Sequence, residues 1–193
     1  EPENIRQLVY DTEAFTDLIG DPRKKEGLIR KYMSLMYIGS EKEYTEIIVN
    51  TLARKCVEDG KFKSARNLYE LTENYEEIIA LLNKMLAECI WISIRGGTIQ
   101  PETAQELDPR EIRRILNDYE QHHLTMRISQ NRLKDCRTRL SLMDFVEMYK
   151  KQDFARAVTL IQQVELFPFE DDIDIIQKKA SDIEASDDQM KNC

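Results

Sequence analysis

Apolar residues recur along this chain with the period of an α-helix, and one spacing occurs more than once. A Phe-x-x-Ala-x-x-Leu motif covers residues 62–68 and again residues 154–160, and Tyr75-x-x-Ile78-x-x-Leu81 is a weaker copy. Helix pairs that recur in this way cannot bury their apolar faces alone, so they stack on their neighbours. The pattern therefore predicts an all-α fold, an α-solenoid of antiparallel helix pairs.

Each copy of the motif has a small residue at its centre, Ala65 in the first and Ala157 in the second. A small side chain lets two helix backbones cross closely, and a larger one would overpack the crossing. We therefore expect both alanines to lie at helix crossings. The neighbouring Ser64 is expected to be exposed.

Signals for helix ends coincide with the ends of the apolar stripes. Ser40 and Glu43 form a Ser-x-x-Glu capping box, in which each side chain can accept a hydrogen bond from the other residue's backbone N–H. Asn74 and Asp108 are suitable N-caps, the second followed by a proline at the first helical position. Gly60 suits a helix end because it tolerates a left-handed backbone.

The chain is predicted to be one α-solenoid segment over residues 1–193, with seven to nine helices and no strand pair. Its 193 residues are enough to bury a core. The apolar residues over 3–19 are spaced nearly as on one face of a helix. The pattern over residues 170–185 predicts a last helix. Because the chain does not begin with Met, we expect a fragment of a longer protein.

One loop and one break divide the second half of the chain. Residues 95–108 contain a Gly-Gly pair and a proline, which predicts a loop with a tendency to disorder. Residues 109–153 then contain neither Gly nor Pro after the first position, which is too long for one ordinary globular helix. The apolar stripe loses register at residues 125–131, so a break is expected there.

Composition and charge exclude several functions. One third of the residues are charged, and there are only 6 Gly and 5 Pro, which is typical of packed helices lined by solvent. The net charge of −8 and the pI of about 5.0 argue against a general nucleic-acid binder, which needs a basic face. No run is apolar enough to span a membrane.

The four cysteines, Cys56, Cys89, Cys136 and Cys193, are far apart and contain no Cys-x-x-Cys pair. Cys56 and Cys89 fall on apolar helix faces, where a buried thiol is common. A disulfide framework is unusual in a helical chain of this size, so a reducing compartment is expected.

No catalytic, cofactor or metal site is expected. His122 and His123 are adjacent, so on a helix they point about 100° apart and cannot bind one ion together. The acidic run 170–174 lacks the central Gly and closing Glu of an EF-hand, and it suits the first turn of a helix. Gly96-Gly97 lacks the spacing of a phosphate-binding loop.

A few residues are candidates for partner binding. Trp91 lies near a helix end, where an anchor for a partner and a core role are equally plausible. Tyr75 fits the core better than a contact surface. A basic cluster invites an acidic or phosphate-bearing partner, but its interleaving with acidic residues favours a solvated face. It consists of Arg110, Arg113, Arg114, Arg127, Arg132, Lys134, Arg137 and Arg139.

Four blocks in order resemble the nucleoporin-interacting component family, whose members are linker scaffold nucleoporins of the nuclear pore inner ring. The blocks are Leu18-Ile19-Gly20-Asp21-Pro22-Arg23-Lys24, Ala65-Arg66-Asn67-Leu68-Tyr69-Glu70-Leu71, Ile79-Ala80-Leu81-Leu82-Asn83-Lys84-Met85-Leu86, and Ala155-Arg156-Ala157-Val158-Thr159-Leu160-Ile161 followed by Leu166-Phe167-Pro168-Phe169. Their order and spacing are similar over nearly all of the chain. The resemblance implies the C-terminal part of the family's helical scaffold domain.

The resemblance implies a structural protein at the nuclear pore complex of the nuclear envelope, which supports pore assembly and transport of protein and mRNA. Its partners would be other nucleoporins, including a membrane-apposed inner-ring nucleoporin that contributes a short helical segment. No nucleic acid, small-molecule substrate or membrane span is implied, and no partner-binding residue can be transferred. The alternative is a helical-repeat adaptor of a cytoplasmic coat or chaperone-type complex. An enzyme is the third class.

Overall fold

The computed structural model describes residues 2–21, 25–95 and 108–164, and nine α-helices lie in these ranges. The helices are α1 (Pro2–Thr12), α2 (Phe15–Leu18), α3 (Leu28–Lys31), α4 (residues 41–58), α5 (Phe62–Leu71), α6 (Tyr75–Ile94), α7 (Pro109–Gln121), α8 (Gln130–Lys150) and α9 (Phe154–Gln163). Short 3-10 helices lie at Met33–Met36 and Leu124–Arg127. Nine is the upper limit of the predicted number, and the break between α7 and α8 lies where it was expected.

The chain divides into two compact units, Glu1–Leu81 and Leu82–Cys193, and their boundary falls inside α6. The single solenoid segment over residues 1–193 therefore stays a prediction. Most of the predicted loop 95–108 and the whole predicted last helix, 170–185, lie outside the described residues.

Helix α4 contains an element that helical periodicity does not predict. It is α-helical at Glu41–Glu43 and Asn50–Glu58 and π-helical over Tyr44–Val49. A π-helix closes its hydrogen bonds from i to i+5, so its turn is wider. Val49 and Asn50 are consequently both buried beside the α-helical stripe. The carbonyl of Ile47 accepts a hydrogen bond from Arg6 Nη1 of α1 at 2.8 Å.

Two short strands, Gly20–Asp21 and Lys25–Glu26, pair antiparallel, so the prediction of no strand pair is wrong. The ladder depends on two glycines. Gly20 has a φ of 121°, a conformation that other residues rarely adopt. Gly27 lies so close to Ile19 that an added Cβ would be 2.2 Å from the Ile19 carbonyl carbon. An apolar periodicity does not reveal backbone contacts of this kind.

The stripe over residues 3–19 forms two helices instead of one. Helix α1 ends at Thr12, and Glu13 takes a left-handed φ of 52° before α2 begins. The Thr12 hydroxyl donates to the Leu8 carbonyl at 2.8 Å. A hydroxyl that binds the carbonyl of the preceding turn competes with helix propagation, which helps to end α1 here.

The capping residues Ser40 and Asp108 lie where the sequence predicts, but one hydrogen bond of the capping box has a different donor. Ser40 Oγ accepts from Glu43 N at 3.1 Å, but the Glu43 carboxylate accepts from Gly39 N at 2.9 Å instead of from Ser40 N. Asp108 Oδ1 accepts from Arg110 N at 2.9 Å. These bonds satisfy N–H groups at the starts of α4 and α7 that have no partner within their helices.

A shared turn follows three helices, and only one copy uses glycine. Gly60, Glu73 and Gln152 have left-handed φ values of 74°, 52° and 62°. In each turn the next backbone N–H reaches back five residues to a carbonyl of the last helical turn, at 2.8, 2.9 and 3.0 Å respectively. This is the Schellman arrangement, which satisfies carbonyls at a helix end. The sequence signal at Gly60 is confirmed, whereas the other two positions carry no such signal.

Both motif alanines are buried, Ala65 on α5 and Ala157 on α9. Helix α5 packs against the 50–58 part of α4, and α9 packs against α8. Ser64 is half-buried instead of exposed, so the expectation for this residue is wrong. Ser64 directly precedes Ala65, so its side chain lies beside the face of α5 that packs on α4 and is partly shielded from solvent.

The three cysteines in the described ranges, Cys56, Cys89 and Cys136, are buried, and none is in a disulfide. Burial raises the pKa of Cys56 and Cys89 to about 11 and that of Cys136 to about 12. Thiols with such raised pKa values are poor nucleophiles near neutral pH. They belong to the apolar core, as the sequence indicated for the first two.

Candidate partner-binding surfaces

The two histidines help to end α7. His122 and His123 are both exposed, and His122 Nδ1 lies 2.7 Å from the Asp118 carbonyl oxygen. His123 has a left-handed φ of 57° and precedes the 3-10 helix. In the ranges that the structure covers, no group of three His, Cys, Asp or Glu residues could hold a metal ion. The acidic run 170–174 and Gly96-Gly97 lie outside those ranges.

The basic cluster forms ion pairs within the second unit. Arg113 on α7 donates two hydrogen bonds to the Asp144 carboxylate on α8, at 2.8 and 2.9 Å. Glu120 on α7 accepts from Arg137 on α8 at 2.5 Å. These pairs link two neighbouring helices and neutralise the charges of Arg113 and Arg137. They agree with the solvated face that the interleaved sequence favours.

Two further members of the cluster contact a buried asparagine. Asn83 on α6 donates from its side-chain amide to the Arg132 carbonyl at 3.1 Å. The guanidinium of Arg139 donates to the Asn83 carbonyl at 3.0 Å. A buried polar group needs such partners, so this part of the cluster supports the packing of α6 on α8.

The C-terminal end of α6 exposes an aromatic anchor. Trp91 is 57% exposed, and Ile94 and Arg95, three and four residues later, are also exposed. The Arg95 guanidinium carbon lies 4.0 Å from the centroid of the Trp91 ring, a cation–π contact. Trp and Arg are enriched among residues that dominate binding energy. We call Trp91, Ile94 and Arg95 the Trp91 face. Tyr75, by contrast, is half-buried, which agrees with packing.

A second apolar surface runs from α8 to α9. The Phe145 and Tyr149 rings lie 6.1 Å apart, and the Tyr149 ring meets that of Phe154 edge-on at 5.7 Å. Val158 follows one turn after Phe154 on the same side of α9. Tyr149, Phe154 and Val158 are all exposed. We call Phe145, Tyr149, Phe154 and Val158 the aromatic stripe.

A third exposed apolar segment lies in the first unit, and sequence reasoning missed it. Leu28, Tyr32, Leu35 and Tyr37 are exposed, and Tyr37 is 94% exposed with a left-handed φ of 58°. The sequence shows only a short apolar segment here. Nothing in its spacing distinguishes an exposed turn from a buried one, because periodicity does not separate the two in so short a run.

A groove of about 560 Å³ lies beside the start of α7 and the C-terminal half of α8. Its lining includes three acidic and three basic side chains, namely Asp108, Asp144 and Glu147 with Arg110, Arg113 and Lys150. The Lys151 ammonium lowers the pKa of the Glu147 carboxyl. The charged side chains in its lining make this groove less suited to an apolar helix than the Trp91 face.

Comparison with known proteins decides the family. A family model described as Nup93/Nic96 matches residues 2–193, nearly the whole chain. The chain belongs to the Nup93/Nic96 family. It is 27% identical to nucleoporin NIC96 of Saccharomyces cerevisiae over 195 residues, covering 97% of this chain and 23% of that protein. It is 24% identical to nuclear pore complex protein Nup93 of Danio rerio, covering 87% of this chain and 19% of that protein.

A solved structure extends the comparison to the fold. The crystal structure of Chaetomium thermophilum Nic96 SOL matches with a TM-score of 0.69 at 21% identity, covering 93% of this chain and 30% of that chain. The predicted α-solenoid fold class is confirmed by this match. The chain spans less than a third of each of these Nup93/Nic96 proteins.

The comparisons also confirm the coarser functional predictions. The relatives are nucleoporins, so the resemblance and the location at the nuclear pore complex are confirmed at the level of the family. Nup93/Nic96 proteins are structural and not enzymes, which confirms the expectation of a non-catalytic role. Within its described ranges the chain has no helix with the length and apolar character needed to cross a membrane.

Proposed function

We propose that this Nup93/Nic96 segment is a structural scaffold of the nuclear pore inner ring that binds other nucleoporins. In this role it supports pore assembly and transport of protein and mRNA between nucleus and cytoplasm. The observation that carries the proposal is the family match over residues 2–193. Exposed apolar surfaces on an all-α chain provide the physical means, because such surfaces mark contact sites.

The proposed binding mode is a partner helix lying against the Trp91 face. An amphipathic helix binds through apolar residues spaced at i, i+3, i+4 and i+7, and Trp91 with Ile94 offers a complementary apolar strip. The partner is the membrane-apposed inner-ring nucleoporin that the family resemblance implies. It would contribute one short helix from an otherwise disordered segment. No nucleotide, metal ion or lipid is needed for this contact.

Apolar contacts should make this binding only weakly dependent on salt. The chain carries a net charge of −8, and arginines 113 and 137 are paired with acids within the second unit. A chain with this net negative charge should not steer an anionic partner toward it over a distance. Arg95 lies over the Trp91 ring and contributes locally.

The experiment is co-purification of the tagged chain from cell extract, with the recovered proteins identified by mass spectrometry. Ile94→Asp places a charge on the Trp91 face, whereas Asn117→Asp places one on an exposed polar position of α7 and is the matched control. We expect recovery of inner-ring nucleoporins by the wild type and by Asn117→Asp, with loss in Ile94→Asp. Recovery of coat or chaperone subunits instead would support the adaptor alternative and overturn the scaffold proposal.

A further inference from the structure

The groove in the second unit has a lining that is both charged and apolar. The end of α6, the start of α7 and the C-terminal half of α8 form its walls. Its volume of about 560 Å³ lies within the range of clefts that bind ligands. Pro109 and Met143, both half-buried, provide apolar contact area beside the six charged side chains. The Trp91 face includes none of these residues.

The three carboxylates of the lining already have partners. The Asp144 carboxylate accepts two hydrogen bonds from Arg113, and the Glu147 carboxylate accepts one from Lys151 at 2.5 Å. Asp108 accepts a hydrogen bond from a backbone N–H as the N-cap of α7. These bonds largely satisfy the negative charges of the groove from within the chain.

Two cations of the lining have no such partner. Within the described ranges, the side chains of Arg110 and Lys150 donate no hydrogen bond to a carboxylate, and both residues are exposed. The charge of Arg110 reaches α8, because the pKa of the Glu147 carboxyl is lowered mainly by the hydrogen bond from Lys151 and to a smaller extent by Arg110. Once the internal pairs are formed, the charge that the groove offers to a ligand is therefore positive.

We propose that the groove binds a short peptide segment of a partner protein in which an acidic residue lies next to an apolar one. The partner's carboxylate lies between the Arg110 guanidinium and the Lys150 ammonium. Its apolar side chain contacts Pro109 and Met143. A guanidinium can donate two parallel hydrogen bonds to one carboxylate, so Arg110 is the stronger anchor. This surface is separate from the Trp91 face and does not depend on the binding mode proposed there.

The lining favours an acidic peptide over other anionic ligands. The three acidic side chains of the groove and the net charge of −8 would repel the continuous phosphate backbone of a nucleic acid. A free inorganic anion would leave the apolar part of the lining uncovered, whereas a peptide covers both parts. Because the net charge provides no attraction over a long distance, binding depends on contacts inside the groove.

The test is a peptide-display selection on the wild-type chain and, in parallel, on the double variant Arg110→Gln with Lys150→Gln. Short random peptides that only the wild type retains are synthesised with a fluorescein label and titrated by fluorescence anisotropy at low and high salt. Each single variant is titrated as well, and circular dichroism checks that every variant keeps its helices.

Two control variants accompany the titrations. Lys134→Gln is the matched control, because it removes an exposed lysine of α8 that does not line the groove. Trp91→Ala removes the anchor of the Trp91 face without changing the charge, so it distinguishes the two surfaces.

We expect the selected peptides to share an Asp or Glu beside an aliphatic or aromatic residue. Arg110→Gln should weaken their binding about tenfold, and Lys150→Gln should weaken it less, because a lysine binds a carboxylate as a point charge. High salt should weaken binding too, whereas both control variants should leave it unchanged. Replacing the peptide's acidic residue by its amide should weaken binding to the wild type and cause no further loss in the double variant.

Three results would overturn the proposal. The first is a selection in which no peptide distinguishes the wild type from the double variant. The second is a set of selected peptides whose affinity does not depend on their acidic residue. The third is binding that Trp91→Ala or Lys134→Gln abolishes, since the peptides would then bind elsewhere on the chain.

Discussion

The same seven-residue motif occurs in α5 and in α9, with different results. In α5, Phe62 is 5% exposed, and Ala65 and Leu68 are buried with it. In α9 the corresponding alanine is buried, but Phe154 is 54% exposed. Both copies follow a left-handed turn that closes with a hydrogen bond from i+5 to i. The turn and the alanine crossing therefore accompany the motif in both places, whereas the burial of its phenylalanine depends on the neighbouring elements.

The difference shows which features of a repeat depend only on two consecutive helices and which depend on a further element. The turn and the crossing involve only the helix and its immediate predecessor, so they need no third element. Burial of the phenylalanine needs a third element. In the second unit the aromatic stripe lacks that cover among the described residues.

The largest expected effect distinguishes the two phenylalanines. Phe62→Ala should lower the free energy of unfolding by about 3–5 kcal/mol, because it leaves a cavity in a packed core. Phe154→Ala should cost less, about 1–2 kcal/mol, because much of its side chain is exposed. Chemical denaturation of both variants provides the measurement. Equal losses would show that the two copies do not differ as described.

The two alanines should, in contrast, respond alike. Ala65→Leu and Ala157→Leu should each destabilise the protein by about 1–3 kcal/mol, because the larger side chain overpacks a helix crossing. Asn67→Leu and Gln162→Leu change exposed positions of the same two helices and should stay within about 0.5 kcal/mol. These controls replace Ser64, which is half-buried. If the variants of α5 and α9 differed strongly, the shared crossing would not be a property of the motif.

The smallest expected effects concern the turns. Gly60→Ala forces a Cβ into a left-handed conformation and should cost about 1 kcal/mol. Gln152→Gly removes such a Cβ and should stabilise the protein by up to about 1 kcal/mol. Melting temperatures of the two variants should therefore move in opposite directions. A decrease for Gln152→Gly would mean that its side chain makes contacts that outweigh backbone strain.

Sequence reasoning succeeds where the cause lies within a few residues. The caps at Ser40 and Asp108, the helix end at Gly60 and the burial of both motif alanines follow from short-range chemistry. The repeated apolar spacing predicted the solenoid class, and the family resemblance added the nuclear pore location. These features need no knowledge of distant neighbours.

The features that the sequence did not predict depend on contacts between distant residues or on backbone geometry. The strand pair depends on the close approach of Gly27 to Ile19, and the π-helical part of α4 accompanies a hydrogen bond from Arg6, forty-one residues before its acceptor. Glu73 and Gln152 occupy left-handed positions that usually favour glycine. The exposure of Trp91 and Tyr37 likewise depends on which neighbours pack beside them, so their spacing does not predict it.

A titration of this chain with a helical peptide from the membrane-apposed inner-ring nucleoporin tests the central claim of partner binding most directly. Trp91 is the chain's only tryptophan, so its fluorescence reports binding at the proposed face. We expect a blue shift with similar affinity at low and high salt, retained in Asn117→Asp and lost in Ile94→Asp. Affinity that collapses with salt, or equal binding by both variants, would contradict the account.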